Sequence, residues 1–221
     1  MGIKLVLVLL LGVVATGYAQ EKTCCFPDVF EISGGATIGF VYFGAGVVFH
    51  EYAQAAVDYP NKRAAELSTV IAADGTSTSY QTVYDFDNGT EYTIEPATRE
   101  CQRRQLKGPM VNRIPDNATW VGSAYVGDNQ LTVDSFSSVQ SSGGVFGQRT
   151  LTVTQDKCIP TSLIITGLVR GTPILSVTGF VNYVGKIEDP SKYFVVPDFC
   201  KKKPFTEEPK KYDTGAYKIF L

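Results

Sequence analysis

One histidine, His50, stands among the 221 residues, and its isolation excludes more chemistry than any residue present suggests. A two-histidine zinc site of the H-E-x-x-H kind cannot be assembled, and the nucleophile signature G-x-S-x-G is absent as well. Because VVFHEYAQ reads as a strand, His50 is expected to be an ordinary hydrogen-bonded strand histidine. Paired carboxylates remain, Asp85 with Asp87 and Glu188 with Asp189, but acids in hairpins and turns are usually solvated, so no enzyme is expected. Cys101, Cys158 and Cys200 lack a His or Cys at zinc-ligand spacing. No D-x-D-x-D-G loop occurs, so calcium through Asp74, Asp85, Asp87, Asp116, Asp128 or Asp134 is permitted but has no located site, and no cofactor is required. GFVYFGAG has no helical pattern after it and reads as a strand rather than a phosphate cradle.

Charge of one sign and long apolar runs are also lacking. The one extended run, Leu5 to Val14, follows a short positive segment ending at Lys4 and precedes Gly17 and Ala19, small residues at the minus-three and minus-one positions of a cleavage site before Gln20. It is shorter than the ~20 residues a bilayer core requires. Residues 1–19 therefore read as a signal peptide and the remainder as secreted, in a compartment where disulfides persist. Subtracting Lys4 leaves 19 basic against 22 acidic residues, a net charge of −3, which offers no bulk attraction to nucleic acid or an anionic membrane. No later segment resembles a transmembrane helix.

What is present is strand punctuation: short runs of Val, Ile, Thr, Tyr and Phe between clusters of Gly, Asn, Asp and Ser. SYQTVYDFDNGTEYTIEP predicts a hairpin of Ser79–Asp87 with Thr90–Glu95 about Asn88-Gly89, a dipeptide suited to a two-residue type I′ turn. A second hairpin is expected between Gln130–Val139 and Gln148–Gln155 across SSGG. Further strands are expected over 37–43, 47–59, 64–72, 118–126, 161–169 and 174–186, while helical periodicity is weak throughout. The fold class is thus all-β, mainly antiparallel: one domain over 20–200 as a large sheet, sandwich or part-closed barrel. Residues 201–221 form a charged tail with two prolines, expected to be mobile.

Two sequons, Asn88-Gly89-Thr90 and Asn117-Ala118-Thr119, mark Asn88 and Asn117 for glycosylation, the first at a hairpin tip where a glycan costs the core nothing. The cysteines are odd in number, and Cys24 adjoins Cys25. Consecutive Cα atoms lie about 3.8 Å apart, below the ~4.4 Å at which ordinary disulfides begin, so each neighbour should pair elsewhere. Five choices of leftover with three pairings each allow fifteen arrangements, and spacing does not choose among them.

Cys24-x-x-Pro27 with Phe30-Glu31, DYPNKR at 58–63, YDFDNGTEYTI before Cys101, IPDNATW at 114–120, Cys158-x-Pro160 and KIEDPSKYFVVPDFC ending at Cys200 fall in an order that resembles the ependymin-related proteins, over nearly the whole mature chain. The resemblance implies a secreted glycoprotein with a strongly bent two-layer sheet, a half-open barrel similar to the bacterial lipoprotein-carrier fold, enclosing an apolar pocket. It implies disulfides Cys24–Cys158 and Cys101–Cys200, leaving Cys25 unpaired, as a buried thiol or a link between chains. It also implies homodimers, calcium binding and a hydrophobic ligand such as a lipid or fatty acid, with Phe40, Tyr42, Phe49, Tyr52, Tyr84, Phe86, Trp120, Phe136 and Tyr183 as the pocket-lining candidates. The alternative function is an extracellular-matrix or cell-adhesion glycoprotein, and the lysosomal lumen is the lesser alternative to an extracellular location.

Overall fold

The structure, a computed structural model, describes residues 22–206 apart from 107, 143, 144 and 170. Eleven antiparallel strands form one unclosed sheet in the order β6-β5-β4-β3-β2-β1-β11-β10-β9-β8-β7. They are β1 Val29–Tyr42, β2 Ala45–Asp58, β3 Arg63–Ile71, β4 Ser77–Asp85, β5 Thr90–Glu95, β6 Glu100–Gln105, β7 Thr119–Val126, β8 Leu131–Ser142, β9 Val145–Thr154, β10 Pro160–Val169 and β11 Thr172–Val184. The chain meanders from β1 out to the edge strand β6, crosses to the opposite edge β7, and returns strand by strand until β11 pairs with β1.

That crossing dictates curvature. Ten strand spacings of a flat sheet amount to about 48 Å, and the link between Gln105 and Thr119, even pulled straight, reaches only about the same distance. The link is not straight, since it contains Pro109 and Pro115 and a turn closed by Ala118 N–H donating to Pro115 O. The sheet must therefore bend so that its edges approach, and the link crosses the face it bends around. Leu106, Met110, Ile114 and Ala118 of the link pack on that inner face together with Phe26.

Alternation assigns the faces. On β1, Phe30, Ile32, Ala36 and Ile38 point inward and are buried, opposite Val57, Ala55, Glu51 and Phe49 of β2. The same face carries Thr178 and Phe180 of β11, Leu163 of β10, Leu151 and Val153 of β9 and Phe136 of β8. Two buried hydroxyls there, on Ser176 and Thr178, have no hydrogen-bond partner, a cost the apolar packing around them must outweigh.

The outer face bears two short helices, α1 Pro190–Phe194 and α2 Asp198–Lys201. Five and four residues are too few to display a helical period, which is why the sequence pattern did not reveal them. Asp189 caps α1 by accepting from Ser191 N–H, and burial of Tyr193 against Ala56, Ala65 and Val83 holds the helix to β2–β4. Hydrogen bonding to the Ser191 side chain holds the Asp189 carboxyl below its ordinary pKa.

Cys24 is bonded to Cys158, tying the N-terminal segment to the turn between β9 and β10, and Cys101 to Cys200, tying α2 to β6. Within the expected tail, residues 205 and 206 lie against β6. Phe205 pairs with Arg103 of β6, Thr206 N–H donates to Arg103 O at 2.8 Å, and the Arg103 guanidinium lies 4.1 Å from the Phe205 ring centre. These contacts cover the β6 edge, which would otherwise offer unpaired backbone groups. Residues 1–19 with the cleavage site, and 207–221, lie outside the described residues.

Several expected boundaries shift. β4 ends at Asp85 and pairs with Thr90, so residues 86–89 form a four-residue loop in place of a two-residue turn. The cause is Asp85, whose carboxylate accepts from the backbone and the side chain of Asn88 at 3.0 and 2.7 Å, leaving only Gly89 with positive φ. β8 and β9 extend to Ser142 and Val145, drawing the hairpin up to Gly143-Gly144, which are outside the described residues. β1 begins at Val29, well before residue 37, because Gly34 and Gly35 sit within a continuous ladder despite their weak strand propensity. β6, ECQRRQ, was not anticipated at all, since its polar side chains carry no apolar alternation.

Near the β7 edge, Asp134 shows how the inner face accommodates charge. It lies inside β8, with a side chain about 10% exposed. Trp120 Nε1, Gln155 Nε2 and Lys22 Nζ donate to it at 3.1, 3.0 and 3.1 Å, and the Ser123 hydroxyl also donates. Burial alone would raise its pKa, but the bonds from Ser123, Gln155, Trp120 and Lys22 prevail and bring it to about 2. A depressed carboxylate contributes stability that is fully present above its unfolded pKa of about 3.9 and is lost as pH falls through the folded value. Asp134→Asn should therefore cost on the order of 1–2 kcal/mol at neutral pH. In urea titrations the gap between wild type and variant should close between pH 4 and pH 2; a gap that persists at pH 2 would refute the assignment.

Candidate functional site

A groove of about 730 Å³ crosses the outer face over β1–β4. β1 presents Ser33 and Gly35 there, β2 Tyr52 and Gln54, β3 Leu67 and Thr69, and β4 Ser79 and Gln81, all in one register. Its floor is low because Gly35 lacks a side chain. The Tyr52 ring lies so close that a Cβ at Gly35 would meet it at 3.6 Å, and Tyr52 is still 62% exposed. Val181 of β11 and Pro96, just beyond β5, complete the apolar lining.

Toward α1 the groove continues into a smaller cavity of about 240 Å³ that shares Ser33, Gln54 and Asn182 with it and adds Glu31, Lys192 and Tyr193. The polar groups at this end are mutually satisfied. Lys192 Nζ donates to Gln54 Oε1 at 2.7 Å, Tyr193 Oη donates to Glu31 Oε2 at 3.0 Å, and Glu188 N–H donates to Glu31 Oε1 at 2.7 Å. Burial, then the Glu31 hydrogen bond and charge, push the Tyr193 phenol up to about 12. Chemically this is an apolar trench with an uncharged amide-rich rim and, at its α1 end, one lysine and one glutamate each held by uncharged partners, an arrangement suited to holding a small molecule.

A second cavity, of about 370 Å³, lies against the inner face, between residues 110–116 of the β6–β7 link and Arg149 of β9. Arg149 is two residues from buried Leu151 on the same strand and therefore shares its face.

The expected site residues are dispersed. Among the nine aromatics, Tyr52 is the one that lines the groove, and it faces outward. Tyr84 and Phe136 are buried in the inner core, with Phe86 and Tyr183 packed on it, Tyr183 lying 5.8 Å from Phe30 centre to centre. Phe40 and Phe49 stack at 5.3 Å, Trp120 is 45% exposed beside Asp134, and Tyr42 ends β1. Asn88 and Asn117 are both exposed. Cys25 is a free, exposed thiol on a segment paired with Arg113.

His50 is exposed, with Nδ1 3.3 Å from Thr37 Oγ1. Of the aspartates considered for calcium, Asp87 pairs with Lys62, Asp116 with Arg113, and Asp74 accepts from Thr76, while Asp128 occupies a tight turn. Among the described residues no three His, Cys, Asp or Glu side chains gather as a metal site would require. Sequence reasoning missed Leu67, Gln54 and Gln81 of the groove and Arg149 of the inner-face cavity; their types are common, and only the register of β2–β4 brings the first three together.

Residues 74–200, more than half of the chain, match the family model described as Ependymin. The chain belongs to the ependymin family. The matched span runs from β4 to Cys200 of α2, so three of the four bonded cysteines of this ependymin chain lie within it and Cys24 precedes it. A development-specific protein of Lytechinus variegatus, LVN1.2, is 27% identical over 158 residues, covering 66% of this chain and 84% of that one. Among solved structures, a LolA superfamily protein from Nitrosomonas europaea is 10% identical, covers 77% of this chain and 91% of its own, and has a TM-score of 0.32. A DUF1329 family protein from Desulfovibrio piger is 12% identical, covers 76% and 90%, and has a TM-score of 0.34. Among the described residues no helix is long and apolar enough to cross a membrane.

Proposed function

We propose that this ependymin-family chain is a secreted glycoprotein that binds a hydrophobic small molecule or lipid, such as a fatty acid, in the outer groove without covalent chemistry. The observation that carries this reading is the groove itself, about 730 Å³ with Tyr52, Leu67, Pro96 and Val181 along it, a size within the range of small-molecule sites. Transfer of an acyl tail into it would supply roughly 0.8 kcal/mol per buried CH₂. The purified, glycosylated protein should release lipid on organic extraction, read by mass spectrometry, and should bind a fluorescent fatty acid saturably. Tyr52→Asp places a charge in the trench at an exposed position and should weaken that binding roughly tenfold, a loss of about 1.4 kcal/mol. No extractable lipid together with no saturable binding by wild type would sink the reading.

A homodimer is favoured by a separate observation. The outer face of β9–β11 exposes Phe146, Ile164, Leu168, Leu175 and Val177, with Phe146 opposite Leu168 and Ile164 opposite Val177. A contiguous apolar surface of this kind is uncommon on a monomer, and a second copy would cover it. Sedimentation of the wild type as a monomer at micromolar concentration would count against this. The adhesive alternative draws its support from the exposed sequon asparagines, whose glycans would project from the hairpin tip at Asn88 and from the β6–β7 link at Asn117.

A further inference from the structure

We propose that the small cavity beside α1 is the head-group subsite of the outer groove and takes a zwitterionic head, an ammonium joined to a phosphate, as in an ethanolamine phospholipid; this rests on the groove reading above. The cavity, about 240 Å³, presents one cation and one anion, Lys192 and Glu31, so its lining carries no net charge. Among the described residues neither is ion-paired. The Tyr193 hydroxyl stands between them, accepting from Lys192 Nζ at 3.4 Å and donating to Glu31 Oε2 at 3.0 Å. An uncharged group thus holds two opposite charges apart. The phenol, pushed up to about 12, stays protonated at neutral pH and keeps that spacing. Other charges at this end are taken up elsewhere, Asp189 in capping α1 and Glu188 with Lys186 at 3.1 Å. An ammonium offers three donors, of which Gln54 and Tyr193 take two, and a carboxylate about four acceptor sites, of which Tyr193 and Glu188 N–H use two. A phosphate can therefore join Lys192, and an ammonium Glu31, with every existing bond kept.

The backbone shapes the junction between cavity and groove. Between Glu31 and Ser33 of β1 the register with β11 slips, so that Ile32 alone stands against Asn182 and Tyr183. Asn182 takes φ 54°, a left-handed conformation that asparagine tolerates better than most residues. The bulge sets two successive residues, Val181 and Asn182, along the groove, while Tyr183 packs inward near Phe30. Bulges recur beside binding sites because the extra residue re-aims a side chain. Here it is Asn182, which lines the groove and the cavity together with Ser33 and Gln54. Beyond that junction the trench runs past Tyr52 and Leu67, where an acyl tail would lie. A purely anionic head would meet Glu31, and a purely cationic one Lys192. Only a head with both charges complements the pair.

Calorimetric titration of the full glycosylated chain would compare three lipids of one acyl length below their micellar concentrations. They are lysophosphatidylethanolamine, lysophosphatidic acid, which lacks the ammonium, and monoacylglycerol, which lacks both charges. The first is expected to bind roughly tenfold more tightly than either of the others. Lys192→Gln and Glu31→Gln should each cut its margin over monoacylglycerol to about threefold or less, whereas Lys192→Arg, which keeps the charge, should hold most of it. Lys192 is exposed, so its variants serve even if Glu31→Gln loosens α1. Equal binding of the three lipids would overturn the head-group assignment and leave the groove reading standing. So would lysophosphatidic acid binding as tightly as the zwitterion, or a margin unchanged in the folded variants. Binding of none of the three would defeat both readings.

Discussion

Replacing Cys24 and Cys158 together with serine is expected to lower the unfolding free energy by about 2–5 kcal/mol, the usual loss for a native bridge. The two residues lie 134 apart in sequence, so the bridge removes a large share of loop-closure entropy from the unfolded chain. The folded state loses more than a tether. Cys158 is 2% exposed with φ 54°, and the segment it anchors supplies Phe26 to the core and holds the 110–116 link over the inner face. Denaturant melts under non-reducing conditions would measure the loss, and a cost below about 1 kcal/mol would mean that the sheet closes its inner face without that segment. The Cys101–Cys200 bridge, with a separation of 99, acts on the β6 edge and α2 instead of the core cover.

Phe30→Ala is expected to cost about 3–5 kcal/mol, enough to consume much of the stability of an ordinary domain. Phe30 is fully buried at the start of β1, opposite Val57 and beside Tyr183. Removing its ring leaves a cavity walled by strand backbone and by residues that the disulfide-anchored segment keeps from settling inward. Tyr125→Ser makes the comparison internal: at 65% exposure on the edge strand β7 it should shift stability by no more than ~0.5 kcal/mol. Equal losses at the two positions would contradict the placing of Phe30 in the buried core and of Tyr125 at the exposed sheet edge.

Particular stretches show how far local pattern carries. Alternation in VVFHEYAQAAV placed a strand at 47–59 within two residues of β2, because a half-buried strand imposes period two on its own composition. The same logic could not find β6, whose Cys101 and Arg103 are used by α2 and Phe205 arriving from the far end of the chain. Asn88-Gly89 marked a turn correctly but not its length, since the side chain of Asp85 outcompeted the two-residue geometry. The aromatic residues named for a pocket were chosen by type, and type does not report face. Tyr52 and Phe49, three apart on one strand, point to opposite sides.

Composition and local pattern by themselves determined the antiparallel all-β class, the absence of His-based catalytic motifs and the ependymin landmarks, because each is a property of short stretches read one at a time. The direction of bending, the groove floored by Gly35 beneath Tyr52, and the cavity between Arg149 and the 110–116 link were decided only in the tertiary structure. Each depends on which strands become neighbours, and neighbours such as β1 and β11 are brought together by a crossing link whose limited reach forces the sheet to curl.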